Sequence, residues 1–454
     1  MTATAAAARR TRDLLEAPLL PTLFRLATPN VIGLFATTVV IGYDGYILGR
    51  IGPDALAGVA LVLPLSMLML QMAAGGLGGA VTAGVARALG GGRVEDADRL
   101  AQHALLVALL LAVPFMLGLL GFGGVIYGAM GGRDGALAAA LSYSNVLFGG
   151  ALLICLSNIL AAIARGAGNM VLPSTLMLVT AVIHLALCPL LVFGWGPIPG
   201  LGLPGAALST LGTSLISIIV LLLHLSRGRS PVHLMRRHWR VDAGYLKAIL
   251  RVGAPASLSP VLSNGSIAAV TALIGSYGTA ALAGYGVAAR LEYIMVPIAF
   301  GFGTALTTLV ATNMGAGQHG RALRATWTGG AVVATITGAI GLVAALMPGL
   351  WMNLFTADPA VLAFGADYLR IVGTSYSLFG LGLALFFASQ GAGRMFWPLA
   401  GSVARLATVA LGGWLAVHVF HVSANGFFVI VAAGFGIYAL MIGTAIRLGT
   451  WIRG

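Results

Sequence analysis

The sequence predicts an all-α membrane protein whose twelve transmembrane helices form two parallel six-helix repeats. Three observations lead there. Of 454 residues, 59% are hydrophobic and only 8% charged, which leaves more apolar surface than a soluble fold can bury. Apolar runs long enough to cross about 30 Å of hydrocarbon recur along the whole chain, separated by short breaks carrying Gly, Pro or Arg. Several stretches of the first half also return in the second, 225 or 226 residues later.

The spans centre near residues 34, 70, 114, 151, 182, 214, 261, 297, 337, 375, 407 and 436. An even number places both termini on one side. Of the 25 basic residues, 20 lie at the termini or the even-numbered breaks, among them Arg9, Arg10, Arg12, Arg87, Arg93 and Arg99. The sixth break is the most basic, with Arg227, Arg229, Arg236, Arg237, Arg240, Lys247 and Arg251. Arg50, Arg133 and Arg370 sit at odd-numbered breaks, and Arg290 and Arg405 within spans. The positive-inside rule then makes both termini cytoplasmic. The net charge of +13 thus reports topology and not a nucleic-acid partner. The polar N-terminus lacks the short apolar core and cleavage site of a removable signal. Cys155 and Cys188 both lie in spans, so counting cysteines offers neither a disulfide framework nor a zinc site.

The repeat is legible in three collinear pairs. GRIGPDALAG at 49–58 matches GSYGTAALAG at 275–284, offset 226, and ARGAGNMVLP at 164–173 matches SQGAGRMFWP at 389–398, offset 225. Between them ALGGGRVEDADR at 88–99 answers NMGAGQHGRALR at 313–324, and Pro29 and Pro255 keep the register. A unit of six spans re-enters the membrane from the same side, and parallel repeats of this kind enclose a central cavity and rock about it. Symmetry alone leaves open two independent six-helix domains. The expected division is a cytoplasmic tail 1–19, a first half 20–226, a basic linker 227–246, a second half 247–447 and a cytoplasmic end 448–454.

Asp44 poses the chemical question, because a carboxylate inside a membrane helix costs roughly 2.5–3.5 kcal/mol on insertion scales. It stands five residues before Gly49 in the run VVIGYDGYILGR. Together with Gly49-Arg50-x-Gly52, the following ALAG, LGGGRVEDAD after span two, AGYGVAARLEYIMVPIAFGFGTALTTLVATNMGAGQ at 283–318, and the recurring RGAG and QGAG, it resembles the multidrug and toxic compound extrusion (MATE) transporters over roughly residues 20–445. The resemblance implies a V-shaped twelve-helix antiporter that expels amphipathic, often cationic compounds for inward protons or sodium ions. It also places Asp44 at the family's ion site. Many relatives carry Asn-x-x-Leu-Asp-Pro in the fifth span, where this chain has HLALCP, with His184 for the Asn and Cys188 for the Asp. The second-half acidic pair of some relatives is also missing: span seven has Ser263 and Asn264, and span ten has Ser375, Tyr376 and Ser377. Both departures count against sodium coupling and a two-site scheme.

At about 1.5 Å per residue, Asp44, His184 and Cys188 reach similar depths, and His184 and Cys188, four residues apart, share a helix face. Asp44 and His184 can then hold or pass a proton; the competing reading of His184 is a packing hydrogen bond to a neighbouring helix. Cys188 reads equally as a small apolar filler. Asn158 and Thr210 are candidates to complete the ion-coupling pocket or to serve as polar packing contacts. Arg290 and Glu292, two apart, point to different faces; Arg405 is a candidate partner for Glu292, as a fixed ion pair or a proton-linked gate. Met67, Met69, Met72 and Gln71 suggest an adaptable cavity wall or an ordinary core, and Tyr376 is placed with the substrate cavity.

The expected activity is therefore a cation-coupled antiporter, with the proton as coupling ion, exporting drugs or metabolites by alternating access. It would work as a monomer among inner-membrane lipids, with no cofactor, metal or covalent chemistry. A lipid-linked sugar or lipid flippase is the alternative, disfavoured by the few Arg residues in the first-half spans. A membrane enzyme lacks a nucleophile, base and metal-ligand set at similar depth. A channel is the third rival, and no Walker-type phosphate loop is present for ATP-driven export.

Overall fold

The computed structural model describes residues 3–196, 198–227, 230–234 and 241–451. Arg229, Arg236, Arg237 and Arg240 of the expected linker fall outside the described residues. The chain is a multi-pass membrane protein built almost wholly of helices, as its continuous apolar runs require, since in lipid every backbone N–H and C=O must be bonded within its own segment. Helix α1 spans Ala3–Glu16. The long helices are α2 Leu19–Gly49, α3 Pro53–Gly90, α4 Val94–Ala129, the bent pair α5 Asp134–Gly149 and α6 Ala151–Gly166, α7 Val171–Phe193 and α8 Leu203–Ser226. A two-residue ribbon, β1 Gly194–Trp195 with β2 Ile198–Pro199, links α7 to α8. Then come α9 Ala243–Gly275, α10 Thr279–Gly315, α11 His319–Leu346, the short α12 Gly349–Met352, α13 Pro359–Ala392, α14 Phe396–His418 and α15 Ala424–Arg447. Among the described residues, eleven of these are long and apolar enough to cross a membrane singly, and the α5–α6 pair, bent by 48°, has the length and composition for a twelfth when the two helices are taken as one span.

The duplication read from sequence returns in backbone and side-chain geometry. Helices α3, α4 and α7 begin at Pro53, Val94 and Val171, and α10, α11 and α14 at Thr279, His319 and Phe396, 226, 225 and 225 residues later. The glycines that end the preceding helices match as well: φ is 73° at Gly92 and 74° at Gly317, and 77° at both Gly168 and Gly393. Only a residue without Cβ adopts that left-handed region cheaply. Deeper in the fold, the Thr82 hydroxyl donates to the Ala162 carbonyl at 2.9 Å and the Thr307 hydroxyl to the Phe387 carbonyl at 2.9 Å. Close helix approach makes these bonds possible. A Cβ on Gly166 would come within 2.8 Å of the Thr82 carbonyl oxygen, and one on Gly391 within 2.7 Å of that of Thr307. This is the small-residue contact of membrane helices, where close van der Waals packing drives association.

The chain divides into two compact units, Met1–Glu16 with Thr28–Ser257, and Ala17–Ala27 with Leu258–Gly454. The division therefore falls inside α9, whereas the sequence reading puts the linker at 227–246. The described part of that linker is bound to α4 of the first unit. The His233 amide donates to Asp98 Oδ1 at 2.6 Å, Gln102 donates to the Leu234 carbonyl at 3.1 Å, and the Asp242 amide donates to His103 Nε2 at 2.8 Å. In the second unit, α13 packs on α10, α11 and α15 around an aromatic core containing Tyr285, Tyr368, Tyr376, Phe379, Phe427, Phe428 and Phe435.

Candidate functional site

Asp44 lies in α2 and His184 in α7, and His184 Nε2 stands 2.8 Å from Asp44 Oδ1. The imidazole is buried, its side chain 4% exposed, while 23% of the Asp44 side chain remains open. Ser209 of α8, fully buried, sets its Oγ 3.0 Å from His184 Nδ1. With Nε2–H donating to the carboxylate, Nδ1 accepts from the serine hydroxyl when the ring is neutral and donates to it when the ring is charged. A hydroxyl serves either role by rotating. Either protonation state of the ring is therefore compatible with the same orientation.

Proline fixes this arrangement. Pro189 sits within α7 and has no N–H, so the carbonyl four residues earlier, that of Leu185, loses its helical donor. The Tyr43 hydroxyl, from the residue before Asp44, donates to that carbonyl at 3.1 Å. The defect in α7 thereby pins α2 to it one residue from the Asp44–His184 bond. Cys188 is fully buried, and its Sγ, one Asp44 oxygen and one His184 ring nitrogen lie within 4.8 Å of one another. Three donors able to hold a metal ion therefore meet here, which the cysteine count did not anticipate because two of them are not cysteines.

Two other sequence candidates make their hydrogen bonds within their own helices. Asn158 Nδ2 donates to the Ile154 carbonyl and Thr210 Oγ1 to that of Ala206, each within its own helix. Neither bonds to Asp44. Ser209, Thr210's neighbour, takes the place expected of it, and Tyr43 is the second polar group the sequence reading missed. The signal for Tyr43 is Pro189, whose freed carbonyl demands a donor. Met69 is buried at 1%, while Met67, Gln71 and Met72 are half-buried; a π-helical segment, Met72–Leu77, begins just past Gln71.

In the second unit, Glu292 Oε1 accepts from the Tyr368 hydroxyl at 3.0 Å and the Tyr376 hydroxyl at 3.4 Å. Tyr376 is fully buried, which sets it against this carboxylate. Arg405 lines the same small cavity as Glu292, with Ser266, Tyr285 and Phe435. Its guanidinium stacks 4.5 Å from the Phe435 ring, and among the described residues no ion pair joins it to Glu292. A π-helical segment, Thr408–Gly412, follows Arg405 and reshapes α14 there. Arg290 is exposed and lies over Phe355 at 5.4 Å.

The MatE family model matches residues 29–190 and 255–415, one segment in each repeat. The chain belongs to the MatE family. Members of this family are transporters, not enzymes. Among relatives, a Bradyrhizobium diazoefficiens protein named probable multidrug resistance protein NorM is 30% identical over 81% of this chain and 80% of its own. A Shewanella oneidensis protein named FAD transporter is 26% identical over 83% and 82%. A solved structure described as the outward-facing conformation of a multidrug resistance MATE family transporter shares the fold, with TM-score 0.88 at 24% identity over 97% of this chain and 98% of that one. This MatE chain keeps the first-span Asp44 of the family resemblance and surrounds it with a histidine and a cysteine.

Proposed function

We propose that this MatE chain is a bacterial inner-membrane exporter of amphipathic, cationic drugs or metabolites, driven by inward protons and cycling by alternating access with both termini cytoplasmic. The observation that carries this reading is the 2.8 Å contact of Asp44 with His184, two titratable groups at one depth in a span where a carboxylate is costly. Support comes from the multidrug resistance name of the Bradyrhizobium relative. The proton is favoured over sodium because hard cations want several oxygen ligands, whereas His184 and Cys188 offer nitrogen and sulfur. Ser209 serves the exchange by holding the imidazole in both protonation states.

The test is transport by the purified chain in proteoliposomes with imposed proton and sodium gradients, read across cationic dyes and flavin adenine dinucleotide, the cargo named for the Shewanella relative. Dye export driven by a proton gradient is the expected result. Export driven by a sodium gradient at uniform pH, with no response to protons, overturns the coupling assignment.

A further inference from the structure

We infer that Asp44, His184 and Cys188 form a binding site for one borderline-soft divalent cation of the Zn²⁺ class. Their donor atoms, one carboxylate oxygen, one imidazole nitrogen and one sulfur, lie within 4.8 Å of one another. A tetrahedral ion bonded at about 2.0–2.3 Å holds its donors roughly 3.5 Å apart, so closure needs only small side-chain rotations. The donor set excludes the hard ions: sodium, magnesium and calcium want oxygens, while imidazole and thiolate select zinc-like metals. Three protein ligands with an open fourth position is the pattern of an exchangeable zinc site.

Two further observations fit an ion there. His184 Nδ1 faces Ser209 Oγ at 3.0 Å, the outer hydrogen bond that fixes the tautomer and aims Nε2 inward in metal-bound histidines. Charge balances as well. Binding displaces the Cys188 thiol proton and moves the imidazole proton from Nε2 to Nδ1, where Ser209 Oγ accepts it; the Asp44 carboxylate, the Cys188 thiolate and a divalent ion then sum to zero, which a largely buried pocket tolerates best. Binding itself is independent of the exporter reading. Its consequence, that Zn²⁺ blocks export by occupying the proton-exchanging atoms, rests on that reading.

The experiment is equilibrium dialysis of the purified full chain in detergent against Zn²⁺ near neutral pH, with Co²⁺ as a spectroscopic probe. One Zn²⁺ per chain is expected, with a thiolate-to-Co²⁺ charge-transfer band that vanishes in Cys188→Ser and persists in Cys155→Ser. Ser209→Ala keeps all three ligands and should weaken Zn²⁺ binding about 10- to 100-fold. Asp44→Asn should also lose stoichiometric binding, and it provides a second variant if Cys188→Ser fails to fold. Substoichiometric Zn²⁺ on the unmodified chain, or a Co²⁺ band unchanged by Cys188→Ser, overturns the proposal. No gradient or substrate enters this assay, so its failure leaves the export test standing, and failed export leaves the metal result standing.

Discussion

Asp44 and His184, 140 residues apart, meet through a 2.8 Å hydrogen bond between α2 and α7, with His184 gripped from behind by Ser209. A carboxylate in a membrane helix here has a titratable partner and a fixed orientation, the two conditions for a switchable charge.

Replacing Asp44 by an isostere separates charge from shape. Asp44→Asn keeps the side-chain size and a hydrogen bond to His184 but cannot titrate, and insertion should become slightly easier. The variant should express and purify normally yet lose proton-driven dye export in proteoliposomes. Full export by well-folded Asp44→Asn protein would remove Asp44 from the coupling mechanism.

Ion preference should follow the ligand atoms. His184→Asn combined with Cys188→Asp restores the amide and carboxylate that many relatives carry in this stretch, supplying oxygens for a hard cation. Sodium-gradient-driven export should rise in the double variant relative to the unmodified chain, measured at uniform pH. An unchanged sodium response would show that selectivity is set outside these two positions.

The Tyr43–Leu185 contact predicts a conditional loss of stability. In Tyr43→Phe the Leu185 carbonyl, already deprived of its helical donor by Pro189, loses its remaining partner, at a cost of about 1–3 kcal/mol. Pro189→Ala returns an N–H at the position that normally bonds Leu185, so Tyr43→Phe should be nearly neutral in that background. Thermal unfolding of the four proteins of this double-mutant cycle in detergent measures the coupling, and additive effects would refute the account.

Helix approach at Gly166 should be as unforgiving as its geometry. In Gly166→Ala the new methyl meets the Thr82 carbonyl oxygen at 2.8 Å and Val85 Cβ at 2.9 Å, and overpacking of this kind costs about 1–3 kcal/mol. Gly118→Ala, inside α4 with nothing within 4 Å of the new Cβ, should be neutral or slightly stabilising, since glycine weakens a helix interior. Equal melting temperatures for the two variants would contradict the close-contact argument.

The carboxylate of the second unit gives a parallel test. Tyr368→Phe removes the shorter of the two hydroxyl bonds to Glu292, and a hydrogen bond to a charged group contributes about 1.5–3 kcal/mol. Thermal stability should drop accordingly, and the drop should shrink in a Glu292→Gln background, where the acceptor is neutral. Identical losses in both backgrounds would show that Tyr368 acts through packing alone.

The membrane environment, the run of spans, the duplication and the singular position of Asp44 are all properties of the sequence by itself. Each follows from local quantities, apolar run length and residue identity at a fixed offset, that add along the chain without reference to packing. Depth is of the same kind, because rise per residue is constant, so the matching of Asp44 with His184 and Cys188 is legible in the sequence. Which polar groups touch is not. A helix turns by about 100° per residue, so adjacent positions face different neighbours. Ser209 reaches the imidazole while Thr210 bonds its own helix, and Glu292 meets Tyr368 and Tyr376 with no ion pair to Arg405. Those choices depend on the rotation of each helix about its axis, and rotation is set by packing: by small residues such as Gly166 that let backbones approach, and by the carbonyl that Pro189 leaves for Tyr43 to satisfy.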